Sequence, residues 1–424
     1  MTGAAALAEI VHANRIGTPA GIPSYCTAHA DTLRAIFGEY VGSDVTILVE
    51  ATCNQVNQFG GYAGMTPADF HRFAESLAAG EGIDPARIIF GGDHLGPNPW
   101  KTEPAAVAMA KAKAMVTAYA EAGFTKIHLD ASMACADDVA LDEPTMAARA
   151  AELCAAAEAA AAGRPLSYVI GTEVPIPGGE TGALDALAVT SADAARNTFA
   201  LHAQAFETRG LGDAFQRVIG IVVQPGVDFG NAQVFNYDPA AAAELSKAVF
   251  DLPDAVFEAH STDYQTEAGL RALVASHFAI LKVGPELTFA YRQAVVAMAE
   301  AEKYLSASRP SNVLDIIREE MTANPKYWRN YIAQDGREDA MRFFGLSDRI
   351  RYYWPQPRVA AAVQRLYENI DNLHPEIGIV SQFAPSLDAE RGERRSLSSR
   401  IIRNNVGAVV AKYRRATRPA ATRN

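Results

Sequence analysis

Eight short apolar runs recur along the chain, and nearly all are followed by a segment rich in helix formers. The runs are Gly21–Cys26, Val45–Glu50, Arg87–Phe90, Lys126–Asp130, Leu166–Glu173, Val218–Gln224, Ala255–His260 and Phe278–Val283. Between and after them lie Pro67–Leu77, Ala105–Ala122, Glu143–Ala162, Ala192–Thr208, Ala240–Phe250 and Thr266–His277, then a last stretch from Pro285 to Tyr304. Continuous apolar runs of this length suit strands covered on both faces. Alanine and unbranched side chains favour helix, and Asp69 and Asp238 stand where caps or first-turn charges belong. Strand and helix alternating eight times predict a (β/α)8 barrel. An open doubly wound sheet is the rival, but the sequence carries no GxGxxG or Walker lysine motif to support it.

A barrel of this kind needs about 250 residues or more, so residues 1–305 suffice for it. From 306 to 400 the pattern changes to aromatics and arginines, including Tyr327-Trp328, Tyr331, Phe343-Phe344 and Ser347–Pro355. This reads as a helical extension that covers the barrel or makes a subunit interface. Residues 401–424 read as a terminal helix and basic tail, with Arg414, Arg415, Arg418 and Arg423 expected in solvent. A net charge of −11 argues against nucleic acid or an anionic membrane as partner. No apolar run reaches the roughly 20 residues that span a bilayer, and Met1–Ile10 reads as a first helix rather than a signal peptide. Cys26, Cys53, Cys135 and Cys154 lack CxxC spacing, so a reducing compartment, the cytoplasm, is expected.

In such a barrel the C-terminal strand ends converge on one face. Those ends carry Glu50, Asp93, His94, His128, Asp130, Glu173, Gln224, Glu258, His260 and Lys282. The third run leads into Gly91-Gly92-Asp93-His94, where Gly96, Pro97 and Pro99 forbid an immediate helix. Histidine with carboxylate suits zinc or another divalent cation. His94 and His260 are the leading ligands, completed by Glu173 or Gln224; the alternative for each histidine alone is a hydrogen-bonded structural role. His128 and Asp130 should point the same way from one strand, with His128 equally a ligand or an inner hydrogen bonder. Asp93 fits a general acid/base, against the alternative of a turn cap, and the two glycines before it can release the strand alternation. Glu50 opens an amide-rich loop in which Asn54 and Gln55 suit sugar hydroxyls, unless the loop satisfies its own backbone. Ser261, Thr262 and Lys282 stand where barrels commonly hold phosphate, with loop capping as the rival for the two hydroxyls.

These residues resemble the GatZ/KbaZ family, the tagatose-1,6-bisphosphate aldolase subunit family. The matching words include Glu50–Tyr62, Gly91–Pro99, Lys126–Ser132, Ser167–Pro175, Val222–Gly226, Glu258–Gln265, Leu281–Pro285 and Leu346–Pro355. The resemblance implies a barrel related to class II aldolases. It implies either an accessory subunit that stabilises a separate catalytic aldolase chain, or a tagatose-6-phosphate 4-epimerase. An old family label, tagatose-6-phosphate kinase, has no P-loop or kinase motif behind it here. Class II aldolases hold their ion through three histidines; two are similar to His94, after Asp93, and His260, while the third falls near Gln224. The expected metal set is therefore His94, His260 and Gln224, with zinc the leading ion. The leading mechanism is C4 epimerisation by retro-aldol cleavage and re-addition. Asp93 would act as base, and Glu173 or Glu258 as second acid/base. Glu50, Asn54, Gln55, Asp130, Ser261, Thr262 and Lys282 would bind substrate. A non-catalytic aldolase partner, or the aldolase itself, is the alternative. The expected partners are a phosphorylated ketohexose, an aldolase catalytic subunit and further copies of this chain.

Overall fold

The computed structural model describes residues 3–174, 187–333, 335–385 and 395–418; Arg423 and the Pro175 end of one family word lie outside them. All eight expected strands form: β1 Ile22–Cys26, β2 Ile47–Thr52, β3 Ile88–Leu95, β4 Lys126–Leu129, β5 Ser167–Ile170, β6 Val218–Val223, β7 Val256–Ala259 and β8 Phe278–Val283. Each pairs in parallel with its neighbours in sequence, and β1 pairs with β8 to close the barrel. The fold is a (β/α)8 barrel.

Because side chains alternate along a strand, every second residue enters the lumen. At the N-terminal end these are Ile22, Leu48, Ile89, Val169, Val256 and Ile280. The N-terminal helix Gly3–Arg15 plugs that end with Leu7 and Val11, both almost fully buried; each contributes about 1.5–3 kcal/mol by leaving water. Two residues further along β2, β7 and β8 the lumen turns polar, with Glu50, Glu258 and Lys282, and Lys126, which opens β4, meets Glu50 and Glu258 there; all four are buried. The barrel is thus apolar at its base and charged at its mouth.

Outside lie the expected helices. Pro67–Gly80 opens with a capping box between Thr66 and Asp69. Ala243–Ala248 is shorter than expected, and Asp238 accepts the Ala240 N–H at 2.9 Å just before it. A small ribbon pairs Asp228–Phe229 with Val234–Phe235. The last described helix, Leu397–Thr417, begins before residue 401 and packs on helices Ala30–Gly38, Glu267–Ala275 and Pro285–Glu302. Its buried face of Val406, Val410 and Tyr413 has helical spacing. The expectation of solvated arginines holds at Arg415, exposed and paired with Glu267 at 2.7 Å, and at exposed Arg418, but fails at Arg414, which is half-buried 4.3 Å over the Tyr40 ring. Among the described residues no helix is long and apolar enough to cross a membrane.

Two glycines make the mouth buildable. A Cβ on Gly91 would lie 2.6 Å from the Glu50 carboxylate, and one on Gly96 1.6 Å from the Asp130 carbonyl oxygen. Gly80, at a helix end, faces open space. Gly96→Ala is therefore expected to cost more than about 3 kcal/mol, since backbone must move, whereas Gly80→Ala should stabilise by about 0.4–1 kcal/mol. Urea unfolding of both variants reads the difference; equal effects would contradict the packing at Gly96.

Candidate active site

Four carboxylates, two lysines and three histidines from β2, β3, β4, β7 and β8 and the residues that follow them meet at the barrel mouth. Lys126 Nζ lies 2.6 Å from Glu50 Oε1 and 2.7 Å from Glu258 Oε2. Lys282 Nζ contacts Glu50 Oε2, lies 2.8 Å from Asp93 Oδ1 and stands 3.7 Å from Glu258 Oε1. Each imidazole is backed by a carboxylate: His94 Nδ1 to Asp130 Oδ2 at 2.8 Å, His128 Nδ1 to Asp93 Oδ1 at 2.9 Å, and His260 Nε2 to Glu258 Oε1 at 2.9 Å. The rings face one another, with centres 4.9 Å apart for His94–His260, 5.1 Å for His94–His128 and 5.3 Å for His128–His260.

Burial decides the protonation. Removal from water pushes the Asp93 and Glu258 carboxyls up, but nearby cations outweigh it and hold both well below their usual range; His94 and Lys282 act on Asp93, Lys126 and Lys282 on Glu258. Burial also opposes ionised Asp130, yet hydrogen bonding to His94 lowers it. The His94 imidazole is raised, because Asp93 and Asp130 outweigh its burial. Burial wins at His260 and takes it down to about 3, despite the Glu258 bond.

The site depends on an irregularity in β3. Against β4, Gly92 pairs with Ile127 and Leu95 with Leu129, so β3 carries one extra residue, a bulge. His94 takes up that residue with a left-handed φ of 50°, uncommon for a side-chain-bearing residue and a form of strain found at functional sites. This is how the adjacent Asp93 and His94 both reach the cluster. The release comes from His94 itself rather than from Gly91 and Gly92, which instead make room for Glu50 and for Leu95 and Tyr119.

Above the cluster opens a cleft of about 750 Å³, its open mouth included. Asp93, His94, His260 and Lys282 form its floor, and Asn54, Gln55, Tyr62, Ser261, Asp263, Arg351 and Tyr352 are among its walls. Several sequence-based placements change. Glu50 is fully buried below the cleft, neutralising two lysines rather than meeting substrate. Asp130 is buried behind His94 and also accepts from Ser132. Lys282 lines the cleft, but its charge is committed to carboxylates. Thr262 donates to the Lys282 carbonyl at 2.6 Å and is buried. Gln55 lines the cleft, yet its amide holds the Thr52 N–H at 2.8 Å, so part of the amide-rich loop serves itself. Asn54 and Ser261 face the cleft as expected.

Gln224 and Glu173 do not join the cluster. The Gln224 Oε1 accepts the N–H groups of Gly226 and Val227 at 2.8 and 3.0 Å, closing a turn. Glu173 is exposed and accepts from Thr190 at 2.6 Å. His128 rather than Gln224 joins His94 and His260 in the cluster, and Glu258 orients His260 rather than facing the cleft. Lys126 was missed because it opens its strand instead of ending it, although its spacing from His128 and Asp130 is the alternation that puts all three in the lumen. Arg351 and Tyr352 carried no signal of a place at the mouth.

The residues present fit a divalent cation. Ligand atoms of Asp93, His128, Glu258 and His260 all lie within 4.8 Å of one another. Among the described residues His128 Nε2 is buried without a hydrogen-bond partner, while its Nδ1 meets both the Asp93 carboxylate at 2.9 Å and the His94 N–H at 3.1 Å; in the tautomer that donates from Nδ1 to Asp93, the bare Nε2 is a free ligand lone pair. Four carboxylates against two lysines and the raised His94 imidazole still leave an excess of negative charge, and burying charge uncompensated costs several kcal/mol.

Residues 7–418 match a family described as D-tagatose-1,6-bisphosphate aldolase subunit GatZ/KbaZ-like. The chain is 49% identical over 383 residues to the "D-tagatose-1,6-bisphosphate aldolase subunit GatZ" of Salmonella newport strain SL254, covering 89% of this chain and 90% of the relative. The same identity and coverage hold for the Klebsiella pneumoniae protein of that name. A crystal structure described as a probable tagatose 6 phosphate kinase from Sinorhizobium meliloti 1021 is 46% identical, with a TM-score of 0.85 over 93% of this chain and all of that one.

The protonation pattern has a measurable sign. Below pH 6.5 an unfolded His260 binds a proton that the folded one refuses until about pH 3. Stability should therefore fall as pH drops through that window, by up to about 1.4 kcal/mol per pH unit from this group. His94 works in reverse: the stability it adds is complete below 6.5 and is lost as pH rises through its raised folded value. Urea titrations with chelator at pH 4–6.5 should show a shallower slope for His260→Gln; identical slopes would contradict a buried neutral His260.

Proposed function

Because this chain belongs to the D-tagatose-1,6-bisphosphate aldolase subunit GatZ/KbaZ-like family, we propose that it serves as a subunit of such an aldolase and that its own barrel mouth binds a divalent cation and a phosphorylated ketohexose. The observation that carries the reading is the set of three carboxylate-backed imidazoles around one buried point. A pure scaffold gains nothing from them, since well-packed apolar residues in place of a buried ionic network are often neutral or stabilising. His128 and His260, the two imidazoles of the four-residue ligand group, would hold the ion with His94 beside them as a third imidazole, and imidazole with carboxylate suits zinc. When bound, such an ion supplies Lewis-acid polarisation of the substrate carbonyl.

The protein's own groups supply the proton chemistry. Of the four clustered carboxylates only Asp93 lines the cleft, so Asp93 is the acceptor for the C4 hydroxyl proton. Loss of that proton lets the C3–C4 bond break, its electrons passing toward the C2 carbonyl oxygen. Lys282, 2.8 Å from Asp93, keeps the carboxylate ionised and ready. Glu258 holds the His260 ring in place, and Glu173, outside the cleft, has no part in the step.

The relatives' names favour the subunit role. A second reading, C4 epimerisation of tagatose 6-phosphate to fructose 6-phosphate, draws on the walls formed by Tyr62, Arg351 and Tyr352, which would retain both fragments for re-addition on the other face.

Dialysed protein is expected to take up one zinc or cobalt ion per chain. Asp130→Asn should weaken that uptake roughly 10–100-fold by loosening His94, and His128→Ala should abolish it. Added to a catalytic tagatose-bisphosphate aldolase chain, the protein should raise its activity or lifetime. No metal uptake, or uptake unchanged in both variants, would sink the metal reading; an aldolase indifferent to the added chain would sink the subunit role. Fructose 6-phosphate formed by this chain alone would decide for the second reading.

A further inference from the structure

Barrels commonly seat phosphate on backbone N–H groups at the helix start after the last strand. Here that place is taken. The Asp263 carboxylate accepts the Gly284 and Glu286 N–H groups at 3.0 and 2.7 Å, at the start of helix Pro285–Glu302. Lys282 is likewise spent on Glu50 and Asp93.

One cation in the cleft is differently placed. Arg351 lines it, is about nine-tenths buried, and has no carboxylate within ion-pair distance among the described residues. Its Nη1 donates to the carbonyl oxygens of Ser347 and, at 3.0 Å, Asp348; its Nη2 donates to the Tyr352 hydroxyl at 3.1 Å. A guanidinium has five N–H donors, so two remain without a hydrogen-bond acceptor among the described residues. Buried cations are ordinarily paired, and a planar fork suits phosphate.

The segment is fixed before any ligand arrives. Thr288 donates to Asp348 Oδ2 at 2.5 Å, and Arg292 lies 3.3 Å from Asp348 Oδ1. Tyr264 donates to the Leu346 carbonyl at 2.5 Å, and the Leu346 N–H donates to the Asn231 carbonyl at 2.8 Å. Tyr352 packs its ring 4.6 Å from that of Tyr62, on the loop after β2. Residues following β2, β6, β7 and β8 thus hold Arg351 over the mouth.

We infer that Arg351, supplied by the C-terminal extension, is the anchor for the phosphate of the sugar-phosphate substrate. The inference rests on the ketohexose phosphate reading above. It makes the extension part of the binding site, with the phosphate held at the wall and the carbon chain directed to the floor.

Calorimetric titration of the full chain with fructose 6-phosphate, fructose and inorganic phosphate tests it. Wild type is expected to bind fructose 6-phosphate roughly 100-fold more tightly than fructose, and Arg351→Met to lose that preference while binding fructose unchanged. Arg351→Lys keeps the charge without the fork and should lose roughly 10-fold; it also carries the test if the methionine variant fails to fold by circular dichroism. A wild type that prefers the phosphorylated sugar beside Arg351 variants that do so equally would overturn the assignment and leave the sugar-phosphate reading standing. A wild type without that preference would overturn the sugar-phosphate reading, and the assignment with it.

Discussion

The interaction on which the rest of the mouth depends is the buried network linking Lys126 and Lys282 to Glu50, Asp93 and Glu258. A barrel interior is normally filled by packed apolar side chains, and this lumen obeys that rule only at its base. Above it, charge replaces packing, and each buried charge must find a partner across the lumen because an unpaired buried charge is costly. The lysines bridge strands that are not neighbours: Lys126 on β4 reaches Glu50 on β2 and Glu258 on β7. The network therefore fixes the carboxylates that in turn orient the imidazoles.

That coupling explains why so few of the polar strand ends face the cleft. Glu50 and Glu258 are consumed in holding lysines, and Asp130 in holding His94. What reaches the surface of the floor is Asp93, the edges of His94 and His260, and a Lys282 already neutralised. The β3 bulge is the price of showing two adjacent residues to the same point, and the positive φ at His94 records it.

The extension completes the cavity from outside the barrel. Arg292 and Asp348 tie helix Pro285–Glu302 to the segment carrying Arg351 and Tyr352, so the wall is built on the same helix that follows β8. The terminal helix reinforces that side, with Tyr413 donating to the Thr262 carbonyl at 2.7 Å.

The eight strands and their order were legible because burial on both faces writes continuous apolar runs into the sequence, a local signal. Alternation also marked Lys126, His128 and Asp130 as one inward row, although only the last two were read that way. Which polar strand end binds, which orients and which merely neutralises was decided by tertiary structure. Lumen partners come from strands far apart in sequence, as Lys282 and Glu50 do, and nothing local distinguishes a carboxylate facing solvent from one sealed against a lysine. Gln224 and His128 show the limit clearly. Both end strands, but a turn claims the amide, while the barrel brings the imidazole against Asp93. The place of Arg351 is likewise set by long-range bonds to Asn231, Tyr264, Thr288 and Arg292, contacts that no spacing in the chain encodes.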